Sequence, residues 1–440
     1  MISLGIYKIN NKMVYQSLKI IVKKILRSNI AKIITNTYKK ALYRLIYPLY
    51  QKGLVKYIRK KEKINIVFVA SSISMWRYQN IYTLLSEHPR FKTFIVIVPF
   101  FSYTKDQQKN DIITLKAHFD SLGIQCYIGD SSTNNIIKDL SPDILFYPQP
   151  YDGIFNSQYD YSHFRSRLLC YYPYAFWMSA NDWSYNMPLH NYAWKLFYST
   201  ELHRKDAQRI AFNKGRNVEV VGYPNADNFI LRKHYDVWKP QAKRKKRVIW
   251  APHFTIFTDD YVTQSNFLWM ADFMLELTNK YADKIQFVFK PHPRLLTELY
   301  KHNDWGKDKA TSYYKEWKIR ENTQLEEGEF IDLFMTSDAM VHDSGSFCVE
   351  YHYSGKPVMY IADNFEEQLK EKGEFGKLAM RLHYIGKCKE DIINFIDNTI
   401  LQGEDPMKLE REQFYKKFLL PPNGKSVAEN TMNVFLKAFC

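Results

Sequence analysis

Four short segments in the second half of this 440-residue chain place small polar, cationic and imidazole groups where an apolar run ends. The most informative is Asp338-Ala339-Met340-Val341-His342-Asp343-Ser344-Gly345-Ser346-Phe347-Cys348-Val349-Glu350. Its apolar stretch gives way to small polar residues and then to a helical stretch that Ser344 or Ser346 can cap. Free main-chain N–H groups and the positive end of a helix dipole at such a turn suit an anion such as a diphosphate. Gly345 lets the backbone approach closely. Glu350, one turn on, is placed to accept hydrogen bonds from ribose hydroxyls. The plainer alternative is a well-capped helix.

In Phe289-Lys290-Pro291-His292-Pro293-Arg294 a strand ends in a histidine held between two prolines, which restrict the backbone and so fix the ring's direction. Lys290 and Arg294 flank it with positive charge. A held imidazole serves as general acid or base, or binds phosphate when protonated; a purely structural histidine is the alternative. Trp250-Ala251-Pro252-His253-Phe254 repeats the order of strand and then Pro-His, as ligand contact or as packing turn. Val221-Gly222-Tyr223-Pro224-Asn225-Ala226-Asp227 is a Gly/Pro turn that reads equally as hinge or as ligand contact. Asp259-Asp260 lacks the spacer of a metal-binding DxD, and the chain has no GxxxxGK[ST], HExxH or GxSxG pattern.

The elements that must position these residues alternate between strand and helix. Residues 64–69, 94–98, 126–128 and 144–147 read as strands with helices between them, near 76–85 and 111–122 in the first intervals. After the basic stretch 243–247 the pattern restarts, with strands at 248–250, 285–289, 339–341 and 358–360 and helices at 267–280 and 331–335. Such alternation predicts parallel, doubly wound sheets. Two of them in one chain face a cleft where ligands meet the carboxyl ends of strands. The expected division is an arm over 1–62, a first α/β domain over 63–235, a second over 236–405, and helices over 406–440 that pack on the body. The aromatic stretch 147–198 reads as acceptor groove or as core.

The net charge of +16 is nearly all in the arm: residues 1–63 hold 16 Lys or Arg and the single acid Glu62. The remainder is almost neutral, so any attraction for polyanions is localised there. Five scattered cysteines without a CxxC pair predict a reducing compartment and no zinc knuckle. Lysines cut every apolar run in the arm, which therefore reads neither as a spanning helix nor as a signal peptide. Leu18, Ile21, Val22 and Ile25, then Leu42, Leu45 and Ile46, recur at helical spacing beside Lys and Arg, with Pro48 expected to end or bend the second helix. An apolar face rimmed by cations suits an anionic lipid interface. The alternatives are a helical hairpin packed on the body and a nucleic-acid arm.

On these motifs the second half resembles the CDP-glycerol glycerophosphotransferase family, the GT-B polymerases and primases of teichoic-acid-type polymers. Gly222-Tyr223-Pro224-Asn225-Ala226-Asp227 is similar to that family's Gly-x-Pro-Arg-Asn-Asp turn, and Trp250-Ala251-Pro252 to its Trp-Ala-Pro strand end. Lys290-Pro291-His292-Pro293 is similar to its Lys-x-His-Pro, and His342-Asp343-Ser344-Gly345-Ser346 to its Asp-Tyr-Ser-Ser turn, with Gly355-Lys356-Pro357 following. The resemblance implies a GT-B fold and a CDP-linked donor with no metal required, since helix termini and cations stabilise the charge on the phosphates. It implies a lipid-linked or polymeric acceptor and a peripheral position on the cytoplasmic face of the membrane. No nucleic-acid partner is expected. His292, Asp343 and His253 are then the expected catalytic set, and Ser344, Gly345, Ser346, Glu350, Lys290 and Arg294 the expected donor-binding set. The family's first-domain Trp-His-Gly-Thr-Pro turn, whose histidine is the favoured acceptor base, is replaced by Cys170-Tyr171-Tyr172-Pro173-Tyr174-Ala175-Phe176. That leaves Asp152, His163, His190 or His253 as base, or a different transferred group. A nucleotide-sugar glycosyltransferase, a nucleotide-sugar 2-epimerase and a basic-arm binding protein are the other readings.

Overall fold

A computed structural model describes residues 29–129, 135–155, 157–257, 265–328, 330–345 and 347–440. The helix expected around residues 18–25, the Asp259-Asp260 pair and Ser346 lie outside the described residues.

Two wholly parallel sheets form the body. The first contains β1 (Ile64–Ala70), β2 (Phe91–Ile97), β3 (Cys126–Ile128), β4 (Ile144–Tyr147), β5 (Leu168–Tyr171), β6 (Lys195–Tyr198) and β7 (Val218–Val220), in the order β3-β2-β1-β4-β5-β6-β7. The second contains β8 (Lys246–Ala251), β9 (Ile285–Phe289), β10 (Thr323–Leu325), β11 (Ala339–His342), β12 (Val358–Ile361) and β13 (Tyr384–Gly386), in the order β10-β9-β8-β11-β12-β13. Both orders reverse direction after the first strand of the domain, and ligands in such sheets bind at that reversal, outside the carboxyl ends of the strands. In the second sheet the reversal lies between β8 and β11, so it brings His253 and Asp343 together.

Strands buried on both faces account for the β-branched runs: β4, β5, β9, β11 and β12 are buried at every position. The strand expected at 248–250 starts earlier, inside the basic stretch 243–247, because Lys246 and Arg247 already belong to β8. The Arg247 guanidinium pairs with Asp236 at 2.7 Å and lies over the Trp238 ring.

The chain crosses back at its end. Helix Val427–Phe439 packs on the first domain, where Phe435 meets Phe91, Phe146, Trp194 and Phe197. The Asp227 carboxylate accepts hydrogen bonds from the Val427 and Ala428 N–H groups at 2.8 and 3.0 Å, tying that helix start to the turn after β7. Gly222 is needed in this turn: its φ is +106°, and a Cβ there would stand 2.8 Å from Val427 Cγ2.

The described part of the arm is helical from Asn29 to Arg59 and runs through Pro48. A π-turn over Leu42–Ile46 widens the helix just before the proline, and such a turn accommodates a residue without an N–H donor. Of the Leu42/Leu45/Ile46 stripe, Leu45 and Ile46 are exposed and so do not form the face laid on the body. Tyr43 is buried against Tyr192 and Phe212 instead, and Tyr47 also packs on Tyr192. Gln51 Nε2 donates to Tyr192 O at 2.8 Å, Arg44 Nε to Phe212 O at 2.7 Å and Arg59 Nε to Ala438 O at 2.8 Å. Tyr192 and Phe212 precede β6 and β7, so the helix lies beneath the amino ends of the first sheet, away from the cleft.

Candidate active site

His253 and His292 follow adjacent strands, β8 and β9, and their ring centroids are 5.0 Å apart. Phe254 packs on the ring of His292 at 4.4 Å, and the Arg294 guanidinium lies 4.1 Å above Phe254. The His292 N–H donates to Pro252 O at 3.0 Å, which ties the two strand ends together. The Arg294 N–H donates to His292 Nδ1 at 3.1 Å, so the neutral ring carries its proton on Nε2. Burial, the neighbouring His253, Arg294 and Lys290 pull the His292 pKa down to about 3. At neutral pH the ring is therefore a fixed, uncharged hydrogen-bond donor, suited to a phosphate oxygen and poorly suited to abstracting a proton.

Asp343 is buried beside this pair and holds the loop that follows β8. Its carboxylate accepts from the main-chain N–H of His253 and of Asn266, both at 2.6 Å, and from Ser265 Oγ at 3.2 Å. Burial raises its pKa while these donors lower it. With both oxygens occupied, Asp343 orients His253. Nothing in its geometry presents a free carboxylate to a substrate.

Ser344 is buried, and its N–H donates to His342 Nδ1 at 3.2 Å. Gly345 is exposed, with open space where a Cβ would stand. The helix that follows is short: one α-turn, Phe347–Glu350, then a 3-10 turn, Tyr351–Ser354, ended by Gly355 at φ +69°. The expected dipole is accordingly small, and an anion at this turn depends on main-chain groups and on neighbouring side chains.

Glu350 is buried and engaged elsewhere than at an open ribose position. It accepts a 2.5 Å hydrogen bond from the Tyr223 hydroxyl, which belongs to the first domain and also meets Arg77. Lys290 is buried too, and its Nζ donates to Gly328 O at 2.8 Å. Arg294 pairs with Glu298 at 3.2 Å at the mouth of the site. Tyr103, from the loop after β2, lies within electrostatic reach of Arg294 across the cleft.

The seam between the domains is aromatic. Phe176 stacks on Tyr223 at 4.0 Å and on Phe375 at 5.3 Å. The Gly373 N–H donates to Met178 O at 2.9 Å beside a bridge between Ser179 and Lys372. The segment that stands in place of the expected histidine turn thus leads into the seam. His190, one candidate base, is fully buried with its pKa near 3, pulled down by desolvation, and is a core residue. Asp152 is hydrogen-bonded to Tyr161 within its own loop. The seam contact of Met178 was missed in the sequence, whereas Tyr223 lies in the Gly222-Tyr223-Pro224 turn that was read there as hinge or ligand contact.

A groove of about 970 Å³ lies outside the cleft, between the helix of residues 47–59, β7 and the last helix. Lys52, Lys56, Arg59, Arg216 and Lys437 line it, and none of the expected site residues does.

The likeness to solved structures is one of fold. The wall teichoic acid polymerase TagF superposes with a TM-score of 0.54 at 11% identity, covering 97% of this chain and 98% of that one. A UDP-GlcNAc 2-epimerase from Methanocaldococcus jannaschii, in complex with UDP-GlcNAc and UDP, gives 0.53 at 14% identity over 85% of this chain and 99% of that one. The two proteins match almost equally well, so the fold does not choose between their activities. No curated protein matches by sequence. The family model for CDP-Glycerol:Poly(glycerophosphate) glycerophosphotransferase does match, over residues 177–436, which include the expected catalytic set and the expected donor-binding set. With more than half its length so matched, the chain belongs to the CDP-glycerol glycerophosphotransferase family of transferases.

Proposed function

We propose that this enzyme transfers glycerol phosphate, or a related polyol phosphate, from a CDP-linked donor to a lipid-linked cell-surface polymer or saccharide. The observation that carries the reading is the His253–His292 pair beside the Ser344-Gly345 turn at the strand-order reversal, in a chain of this family. A TagF variant, H444N, with CDPG superposes with a TM-score of 0.51 at 13% identity.

In the proposed reaction an acceptor hydroxyl attacks the β-phosphorus of the donor. A new P–O bond forms, the bridging P–O bond breaks, CMP leaves, and the hydroxyl proton passes to a base. Charge builds on the phosphate oxygens, where the His292 Nε2–H and the positive charges of Lys290 and Arg294 act. The reading assigns no metal to the reacting phosphates. His253 is the candidate base nearest this site, and its main chain is held by Asp343.

Position on the cytoplasmic face of the membrane is part of the proposal. Among the described residues no helix is long and apolar enough to cross a membrane. The helix under the first domain exposes Ile34, Tyr38, Leu45, Ile46, Leu49 and Tyr57 amid lysines, a combination that favours an anionic lipid surface. The test is CMP release from CDP-glycerol by the full chain, with membrane extracts as acceptor source and with Mg²⁺ added or omitted. Acceptor-dependent CMP release that is indifferent to Mg²⁺ is expected; release of UDP from UDP-sugars, with none of CMP, would overturn the reading.

A further inference from the structure

Beneath the phosphate turn lies a cluster that the transfer reaction does not use. His342, Cys348, His352 and His383 are each 2% exposed or less. The ring of His383 stands 5.3 Å from that of His342 and 4.9 Å from that of His352. A ring nitrogen of His342, a ring nitrogen of His383 and Cys348 Sγ all lie within 4.8 Å of one another.

The hydrogen bonding of the cluster is incomplete in an informative way. His383 Nδ1 is 3.1 Å from Ala379 O and 3.2 Å from Met380 O. Carbonyls only accept, so Nδ1 carries the proton and Nε2 is left with a bare lone pair. That Nε2 has no hydrogen-bond partner among the described residues, and neither has His342 Nε2. His342 Nδ1 lies 3.1 Å from Ser344 O and 3.2 Å from Ser344 N, so its surroundings accept either ring tautomer, and the same carbonyl lies 3.5 Å from Cys348 Sγ. A buried polar atom left unpaired is costly, and a pair of them on neighbouring rings calls for an explanation. A pair of carbonyl oxygens that fixes an imidazole tautomer, as at His383, is the usual outer support of a metal ligand.

We propose that His342, Cys348 and His383 bind one d10 metal ion, Zn²⁺ by preference, which staples the end of β11 and the helix after it to the segment that enters β13. A thiolate with two imidazoles is a soft, nitrogen-rich set that suits Zn²⁺ and not Mg²⁺ or Ca²⁺. Bond lengths of about 2.0–2.3 Å require the ligand atoms to close by about 1 Å from their present spacing. Cys348 gives up its thiol proton to solvent when the ion binds, so no charge is left unbalanced by an absent reactant. The ring of His352 stands 4.9 Å from that of His383, and its Nδ1 too has no partner among the described residues. The role is structural: His342 and Cys348 bracket Ser344 and Gly345, so the ion fixes the turn from below.

The test uses the full chain, stripped with chelator and titrated with Co²⁺ and, separately, with Zn²⁺. One equivalent of Co²⁺ giving a thiolate-to-cobalt charge-transfer band is expected, together with a rise in Tm on adding Zn²⁺. Cys348→Ala, a substitution that removes only the thiol, should lose both. A cobalt spectrum without the thiolate band, or a Tm indifferent to Zn²⁺ in the wild-type chain, would overturn the proposal. Because the band is read on the unmodified protein, the result does not depend on how any variant folds.

Discussion

Gly376→Ala sets helix propensity against packing, and the structure gives the sign. Gly376 lies within helix Glu374–Met380, where alanine ordinarily stabilises by about 1 kcal/mol relative to glycine. Here an added Cβ falls inside 3.0 Å of the Met178 carbonyl oxygen and 3.1 Å from its carbon. Both belong to main chain, which cannot rotate away as a side-chain tip can. Met178 is held in place by the hydrogen bond from Gly373 N–H and by the neighbouring Ser179–Lys372 bridge. Overpacking costs about 1–3 kcal/mol, and losing the Gly373 bond adds about 1 kcal/mol. After subtracting the propensity gain, a net loss of about 1–3 kcal/mol at the seam is expected. At about 2 kcal/mol, amide exchange in residues 372–376 should quicken roughly 30-fold where exchange reports local opening. Hydrogen exchange read by mass spectrometry, with a denaturant titration alongside, gives both quantities. A Gly376→Ala protein that is more stable than wild type, with unchanged exchange at the seam, would refute the argument that main-chain contact here outweighs propensity.

Three further expectations follow from the same structure. His292→Ala should lower CMP release from CDP-glycerol tenfold or more while far-ultraviolet circular dichroism is unchanged, since removing one preorganised donor costs about 2.7–4 kcal/mol in comparable sites; wild-type turnover would remove His292 from the site. Burial lowers the pKa of His190 to about 3 and of His203 to about 4, so the stability they contribute is present above pH 6.5 and is lost as pH falls from 6.5 toward those values. One unit below 6.5 each costs about 1.4 kcal/mol, and denaturant unfolding at pH 7.0 and 5.5 should differ by about 3 kcal/mol from this pair; equal stabilities would contradict it. Binding of the full chain to anionic vesicles should weaken as salt rises, and retention by neutral vesicles at unchanged strength would remove the electrostatic part of the membrane proposal.

What the sequence made legible follows from how each element announces itself. Long apolar runs such as 64–69 and 285–289 were readable as buried parallel strands, and helix Phe267–Lys280 has the bounds that its pattern predicts. The unread strands were β5, β6, β7, β10 and β13, each of three or four residues. In β5 and β6 tyrosine and lysine replace the β-branched signal, and in the aromatic stretch 147–198 core and surface carry the same residue types. Tyr171 and Tyr172 are buried, whereas Trp183 is 65% exposed. In the site, the strand-end positions of His253, His292 and Asp343 were legible from strand-to-turn order. The partners were not: Asp343 meets main-chain groups more than 70 residues away, and Glu350 meets Tyr223 across the seam. The arm shows the same limit, because periodicity registers an apolar face without saying whether protein or lipid covers it. Tyr43, Gln51 and Arg59 are built into the body through hydrogen bonds and ring contacts that no single-segment pattern contains.

The most direct test of the central claim is a calorimetric titration of the full chain with CDP-glycerol, CMP and UDP in parallel. The full chain is required because residues 43–59 pack on the first domain. Binding of CDP-glycerol and CMP with UDP excluded, and a tenfold or greater loss for His292→Ala, is the predicted result. Preference for UDP over both cytidine ligands would contradict the account and leave the family resemblance describing only the fold.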